Sequence, residues 1–203
     1  TYVGVNPDNG YAYCAIDPSA PDTPENRTRS YFQAGRSIVG KAYPDFMGGL
    51  SNTFTYKGFS LNFLFTYSFG GNMFDYPGYF AHHDGFRLGS FNLSKDVENN
   101  YWTKPGDKVD NPMPNLINPN RSDKWSTRHI LSTDFVRLKD LRFGYTLPSS
   151  FTKRIYVDNL EVYVRGTNLW LWSKSKNIDP EVTLNGYRTV DTPLARTISV
   201  GVN

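Results

Sequence analysis

The sequence predicts an all-β protein of antiparallel strands, and three observations carry that prediction. From Phe59 to Phe69 the residues alternate without a break. Phe59, Leu61, Phe63, Phe65, Tyr67 and Phe69 take one face, and Ser60, Asn62, Leu64, Thr66 and Ser68 take the other. Period-2 alternation is the signature of a strand whose two faces meet different surroundings. Secondly, no sustained apolar stripe at i, i+3, i+4, i+7 marks an amphipathic helix anywhere in the chain. Thirdly, the joins between alternating runs are very unequal: Lys57-Gly58 is a hairpin turn, whereas 70–131 is a long irregular connection.

Taken in order, the first 45 residues are rich in Pro, Asp and Asn, as in Pro18-Ser19-Ala20-Pro21-Asp22-Thr23-Pro24, and read as loop with short strands at most. Leu50–Tyr56 is the first alternating run, with Leu50, Asn52, Phe54 and Tyr56 set against Ser51, Thr53 and Thr55. Phe59–Phe69 is the second. The 70–131 connection is broken by Gly70-Gly71, Lys104-Pro105-Gly106-Asp107 and Asn111-Pro112-Met113-Pro114. Alternation returns at Phe135–Leu147, where Leu141, Phe143, Tyr145 and Leu147 are expected to share a face with Phe135. Arg137 and Lys139 interrupt that face and suggest a bulge, or a position near a lumen or rim. Leu160, Val162 and Val164 alternate with Glu161, Tyr163 and Arg165 and lead into Asn168-Leu169-Trp170-Leu171-Trp172. After the loop 173–193, the last run has Ile198, Val200 and Val202 against Thr197, Ser199 and Gly201.

Composition narrows the classes. The chain has 203 residues, of which 16% are aromatic, roughly twice the share in an ordinary soluble domain. That argues against disorder of the chain as a whole. The net charge of +3, without a basic cluster, gives no reason to expect nucleic acid. Cys14 is the single cysteine, which excludes an internal disulfide framework and a cysteine-based zinc site. A mean hydropathy of −0.52 reads as soluble but leaves a membrane β-barrel open, because half of each barrel strand is polar. Phe59–Phe69 has the roughly 9–11 residues that cross a bilayer at a tilt. Tyr56, Tyr67, Tyr145, Trp170 and Trp172 lie near run ends, where an interfacial aromatic girdle would sit. A soluble β-sandwich also alternates, so on pattern alone both architectures stand. The chain opens at Thr1 with no charged or apolar leader, as expected of a mature protein or a fragment.

An ordered set of segments then becomes informative. Gly40-Lys41-Ala42-Tyr43-Pro44-Asp45-Phe46-Met47-Gly48-Gly49 leads into the first hairpin, and Gly70-Gly71-Asn72-Met73-Phe74-Asp75 follows it. Tyr101-Trp102-Thr103-Lys104-Pro105-Gly106-Asp107 lies in the long connection. The block Phe135–Pro148, Gly166-Thr167-Asn168-Leu169, Asp179-Pro180-Glu181 and Arg196–Gly201 complete the set. Together, from about Gly35 to Asn203, these resemble the C-terminal end of the SusC/RagA family of TonB-dependent outer-membrane transporters. Two departures are visible: the chain stops at Asn203 rather than on an aromatic residue, and it contains no plug or TonB-contacting segment.

The resemblance implies antiparallel strands forming the C-terminal part of a large transmembrane β-barrel of about 22 strands, with long extracellular loops. Residues 1–45 would be mostly extracellular loop. Residues 46–203 would hold the last five strands, with the extracellular loop 70–131 and the loop 173–193. Five strands cannot close, so the runs at Leu50–Tyr56 and Leu194–Val202 must each pair with polypeptide beyond this chain. The implied function is TonB-dependent import of glycan or peptide oligomers across the bacterial outer membrane. The implied partners are a SusD-like surface lipoprotein, TonB acting through a plug outside this segment, the rest of the barrel, lipid and the oligomer. No nucleic acid, cofactor, metal or enzymatic step is expected. The alternatives are a secreted carbohydrate-binding β-sandwich and a siderophore- or cobalamin-type TonB receptor.

Tyr79, Phe80, Tyr101, Trp102 and Trp125 stand in an otherwise polar connection and are the candidates for substrate or lipoprotein contact. Packing of the loop on itself is the competing role. His82-His83-Asp84 has the composition of a metal site, but adjacent extended residues point apart, and a solvated loop is expected. Asp179 and Glu181 have the composition of a glycosidase pair, yet Pro180 between them favours a turn. Ser132, His129 and Asp134 form no recognisable nucleophile motif.

Overall fold

The computed structural model describes residues 1–182, 185–190 and 192–203; positions 183, 184 and 191 of the loop 173–193 lie outside the described residues. In chain order the strands are β1 (Tyr2–Val5), β2 (Ala12–Ala15), β3 (Arg27–Thr28), β4 (Phe46–Tyr56), β5 (Phe59–Phe69) and β6 (Asn72–Asp75). They continue as β7 (Ile130–Ser132), β8 (Phe135–Thr146), β9 (Glu161–Ser173), β10 (Tyr187–Arg188) and β11 (Thr197–Val202). Two short helices, α1 (Tyr76–Ala81) and α2 (Ser149–Thr152), interrupt them. The chain divides into two compact units. One comprises 1–40, 73–131 and 187–190, and the other 41–72, 132–186 and 191–203.

The second unit is built on one five-stranded sheet in the order β11-β9-β8-β5-β4. Every neighbouring pair in it is antiparallel. Lys57 and Gly58, at φ 46° and 87°, make the two-residue turn with both centres left-handed that fits the twist of a hairpin. β4 and β11 are the open edges and do not pair with each other.

Residues directly opposite each other across a sheet share a face, so the register assigns the faces. Phe54, Phe59, Leu61, Phe63, Phe65 and Tyr67 join Leu141, Phe143 and Tyr145, then Val162 and Val164, then Val200 and Val202. Asn52, opposite Phe63, is a polar exception on the edge strand. This apolar face is uncovered: Phe54 is 54% exposed, Phe143 50% and Val200 72%. A soluble sandwich would bury such a face.

In β8 the assignment differs from the sequence expectation. Leu64 faces Asp140 while the next residue, Phe65, faces Leu138, so Lys139 is an extra residue. The bulge reverses the parity of everything before it. Phe135 therefore lies opposite Ser68, on the polar face, and does not share a face with Leu141 and Phe143. Arg137 moves to the polar face with it, opposite Thr66, and Val136 and Leu138 take the apolar face. The ladder with β9 shifts at the same level, where Asn168 has φ 53°.

The first unit contains the three-stranded sheet β1-β2-β3 and a second small sheet in the order β10-β6-β7. The β10–β6 pair is parallel, a departure from the all-antiparallel expectation, confined to Tyr187↔Phe74 and Arg188↔Asp75. Most of the long 70–131 connection thus folds into this unit rather than running free. Met73, Tyr79, His83, Val97, Trp102 and His129 are buried in it.

Candidate functional site

Two places concentrate chemistry: the polar face of the sheet and the aromatic cluster of the first unit. On the polar face, Arg142 of β8 lies directly opposite Arg165 of β9, a like-charge pair that would be unfavourable alone. Each is neutralised by a carboxylate further along the facing strand. Arg142 Nη2 donates to Glu161 Oε2 at 2.7 Å, and Arg165 Nε donates to Asp140 Oδ2 at 2.7 Å. The Arg142 guanidinium also lies 4.3 Å from the Tyr163 ring centre, and Ser60 Oγ reaches Glu161 at 3.3 Å. Thr53 bonds Asn62 at 2.7 Å between β4 and β5. One sheet therefore carries paired charges and hydroxyls on one face and uncovered aromatics and valines on the other. Such a sheet is built to separate an apolar from a polar environment.

Further along the same face the bulge delivers Arg137, 2% exposed, into a four-residue ion network. Its guanidinium meets Asp179 and, at 2.5 Å, Glu181 Oε2. Lys139 Nζ donates to Glu181 Oε1 at 2.6 Å. Asp179 also accepts from the backbone N–H of Glu181 at 3.1 Å and of Leu194 at 3.3 Å. Both carboxylates of the Asp179-Pro180-Glu181 turn are thus committed to cations. This arrangement fixes the turn to β8 and supplies no acid–nucleophile pair. The sequence carried its signal, a pair of cations breaking an apolar face, but not the identity of their partners.

In the first unit, aromatic rings pack on one another. Phe74 stacks on Tyr187 with centres 5.7 Å apart, and Tyr79 meets Phe80 at 5.0 Å, Trp125 at 5.9 Å and His129 at 5.6 Å. Of the candidate residues, Tyr79 and Trp102 are buried. The Trp102 indole N–H donates to the Pro7 carbonyl at 2.7 Å. Its ring lies against Gly10, at φ 72°, where a Cβ would come within 2.4 Å of the indole. Phe80 and Tyr101 are half-buried. Phe80 packs between Tyr76, Tyr79 and Phe91 under the Arg87 guanidinium. Tyr101 bridges to Asn111. Trp125 alone of the five is mostly exposed, at 54%. It lines an open cavity of about 430 Å³ with Tyr31, Phe32, Arg36, Phe74 and Thr127. Aromatic walls with a few polar groups suit a flat or apolar moiety.

The histidines have separate, structural partners. His82 Nε2 lies 3.2 Å from Asp96, whereas His83 sits between the Phe91 carbonyl and the Arg87 N–H. Asp84 takes Arg128 at 2.7 and 2.9 Å. Among the described residues no group of three or more His, Cys, Asp or Glu could hold a metal. Burial, then the nearby Arg128 and His82 charges, lowers the His129 pKa to about 3, so its ring stays neutral. Burial likewise raises the Cys14 thiol above its usual range.

No family model matches the chain. Among curated proteins, TonB-dependent receptor P3 of Formosa agariphila is 31% identical over 183 residues, covering 84% of this chain and 17% of that protein. TonB-dependent receptor P39 of the same organism is 28% identical over 152 residues, covering 74% of this chain and 14% of that protein. Among solved structures, a chain of the RagAB peptide transporter is 26% identical with a TM-score of 0.81, over 99% of this chain and 22% of that one. A chain of the RagAB peptide importer in its 'closed-closed' state is 27% identical with a TM-score of 0.78, over the same shares. The chain thus spans less than a quarter of the length of the proteins it matches.

Proposed function

Because this chain belongs to the SusC/RagA family of TonB-dependent outer-membrane receptors, we propose that it supplies the last five strands of an import barrel of about 22 strands, together with their extracellular loops. The observation that carries the reading is the two-faced sheet with open edges. Its aromatic and valine face meets lipid, its charge-paired face lines the lumen, and β4 and β11 pair with strands outside this chain. Unpaired N–H and C=O groups within hydrocarbon would cost several kcal/mol each, so neither edge stays open in the membrane.

In this reading the first unit, residues 1–40, 73–131 and 187–190, lies outside the cell beneath a SusD-like surface lipoprotein. Trp125 and the half-buried Phe80 and Tyr101 are its contact candidates, while Tyr79 and Trp102 hold it together. The cargo is a nutrient oligomer, glycan or peptide, admitted when TonB acts on a plug outside this segment. No bond-breaking step falls to these residues. The test is made on the full-length receptor. Extraction from outer membranes should need detergent, the lipoprotein should co-purify, and uptake of oligomer should depend on TonB. Release into buffer without detergent would overturn the barrel. Detergent-dependent extraction with no lipoprotein in the complex would leave a siderophore- or cobalamin-type receptor.

A further inference from the structure

The connection between β8 and β9 lies at the same end of the sheet as the Lys57-Gly58 turn, and it is not a minimal hairpin. Leu147 N–H donates to the Leu160 carbonyl at 2.8 Å and closes its neck. Within it, the Phe151 and Thr152 N–H groups both bond the Pro148 carbonyl, and Val157 N–H bonds the Thr152 carbonyl at 3.1 Å. Thr152 is fully buried. The loop is therefore a knuckle with its own internal bonding. What it displays is unusual for water. Phe151 and Ile155 are about half exposed, and Tyr156 is 98% exposed at φ 57°, a conformation that disfavours a bulky residue. Lys153 and Arg154 stand exposed among them, and neither makes an ion pair among the described residues.

Further barrel strands would not cover this knuckle. β8 and β9 are interior strands, flanked by β5 and β11, so strands added at the edges lie at least one strand away. The knuckle is also continuous in sequence with Tyr145 and Val162, a directly opposed pair of the uncovered apolar face. Apolar and aromatic side chains beside unpaired cations are the composition of segments that settle at a membrane–water interface. The cations complement phosphate, and the rings suit the boundary between headgroups and acyl chains.

We infer that residues 148–159 form a membrane-interface foot that binds phospholipid. Phe151, Ile155 and Tyr156 enter the headgroup–acyl boundary of the leaflet at the short-turn end, and Lys153 and Arg154 take phosphate oxygens of anionic headgroups. This rests on the barrel reading, so its test must tell the two apart. Spin labels are placed on the full-length receptor in lipid nanodiscs through Phe151→Cys or Ile155→Cys. Phe63→Cys serves as the hydrocarbon reference and Lys104→Cys as the water reference. Collisions with oxygen and with a water-soluble nickel chelate then report depth. At 151 and 155 the oxygen-to-nickel ratio should lie several-fold above that at 104 and below that at 63. Adding phosphatidylglycerol to phosphatidylcholine should raise it further, and the double variant Lys153→Gln, Arg154→Gln should abolish that increment. A water-like ratio at 151 and 155 with a hydrocarbon-like ratio at 63 would overturn the foot and leave the barrel. Shielding from both reagents would overturn it in favour of a protein neighbour. A water-like ratio at 63 would remove the barrel and the foot together.

Discussion

Aromatic side chains meet opposite fates in the two units. In β5 they stand in an uncovered row, Phe59, Phe63, Phe65, Tyr67 and Phe69, touching rings of their own strand and of the neighbouring strands. Between residues 74 and 129 the same residue types fold inward onto one another, around Met73, Tyr79 and His129. The two arrangements suit different surroundings. A face that stays apolar and uncovered across several strands is stable only where the solvent is apolar. A polar segment that gathers its rings into a centre is answering to water.

The inward-packed core of the loop unit should be most sensitive at Trp102. Trp102→Ala should cost the loop unit about 3–5 kcal/mol, since it deletes a buried ring and strands the Pro7 carbonyl. Hydrogen exchange of amides 97–129 in the full-length receptor would read this as lost protection. Unchanged protection would mean that the unit does not depend on an inward-facing core. Next in size is Phe63→Arg, expected to cost about 2–4 kcal/mol of barrel stability in a folding titration into lipid, against little for Thr55→Arg, on the exposed polar face opposite Ser60. Equal tolerance at both positions would erase the distinction between the faces.

A smaller effect separates the units by pH. His129 has its pKa lowered to about 3, from 6.5, chiefly by burial. Below pH 6.5 the unfolded chain takes up a proton that the folded unit refuses, so stability falls with falling pH until the folded value is reached. By pH 5 the loss attributable to this group is about 2 kcal/mol. A thermal-unfolding series on His129→Gln should be flatter over that range, and an identical slope would remove His129 as the cause. Smallest in stability is Trp125→Ala, expected within about 0.5 kcal/mol of the parent because the ring is mostly exposed. Its effect should appear as weaker uptake or weaker lipoprotein co-purification. Unaltered behaviour in both would take Trp125 out of the mechanism.

The β5 strand was legible to the residue, because unbroken alternation over Phe59–Phe69 leaves a single register compatible with both faces. β4 extends four residues before Leu50, through Phe46, Met47, Gly48 and Gly49. The glycines hid that extension by carrying no face preference. Phe135 was assigned to the wrong side because periodicity cannot announce an extra residue. Arg137 and Lys139 gave the hint, but the carboxylates they needed lie some 42 positions away, at 179 and 181. In the loop unit, the list of aromatics was readable from sequence and their roles were not. Trp102 is buried by Gly10 and Pro7, more than 90 positions distant, whereas Trp125 has no such cover. Contacts of that range leave no local pattern.

The bulge in β8 also divides the wall into places where the chain can and cannot lose a residue. Excision of any one residue inside β5 would turn half of that strand over, bringing serines and threonines to the apolar face. Lys139 is different, because the strand already treats it as surplus to its pairing with β5. Removing it would leave Phe135 and Arg137 on the polar side and Val136 and Leu138 on the apolar side, at the expense of the Glu181 contact. Length variation among natural or engineered forms of this wall should therefore gather at position 139, and in the neighbouring step of β9 at Asn168, while the rest of the ladder keeps its length.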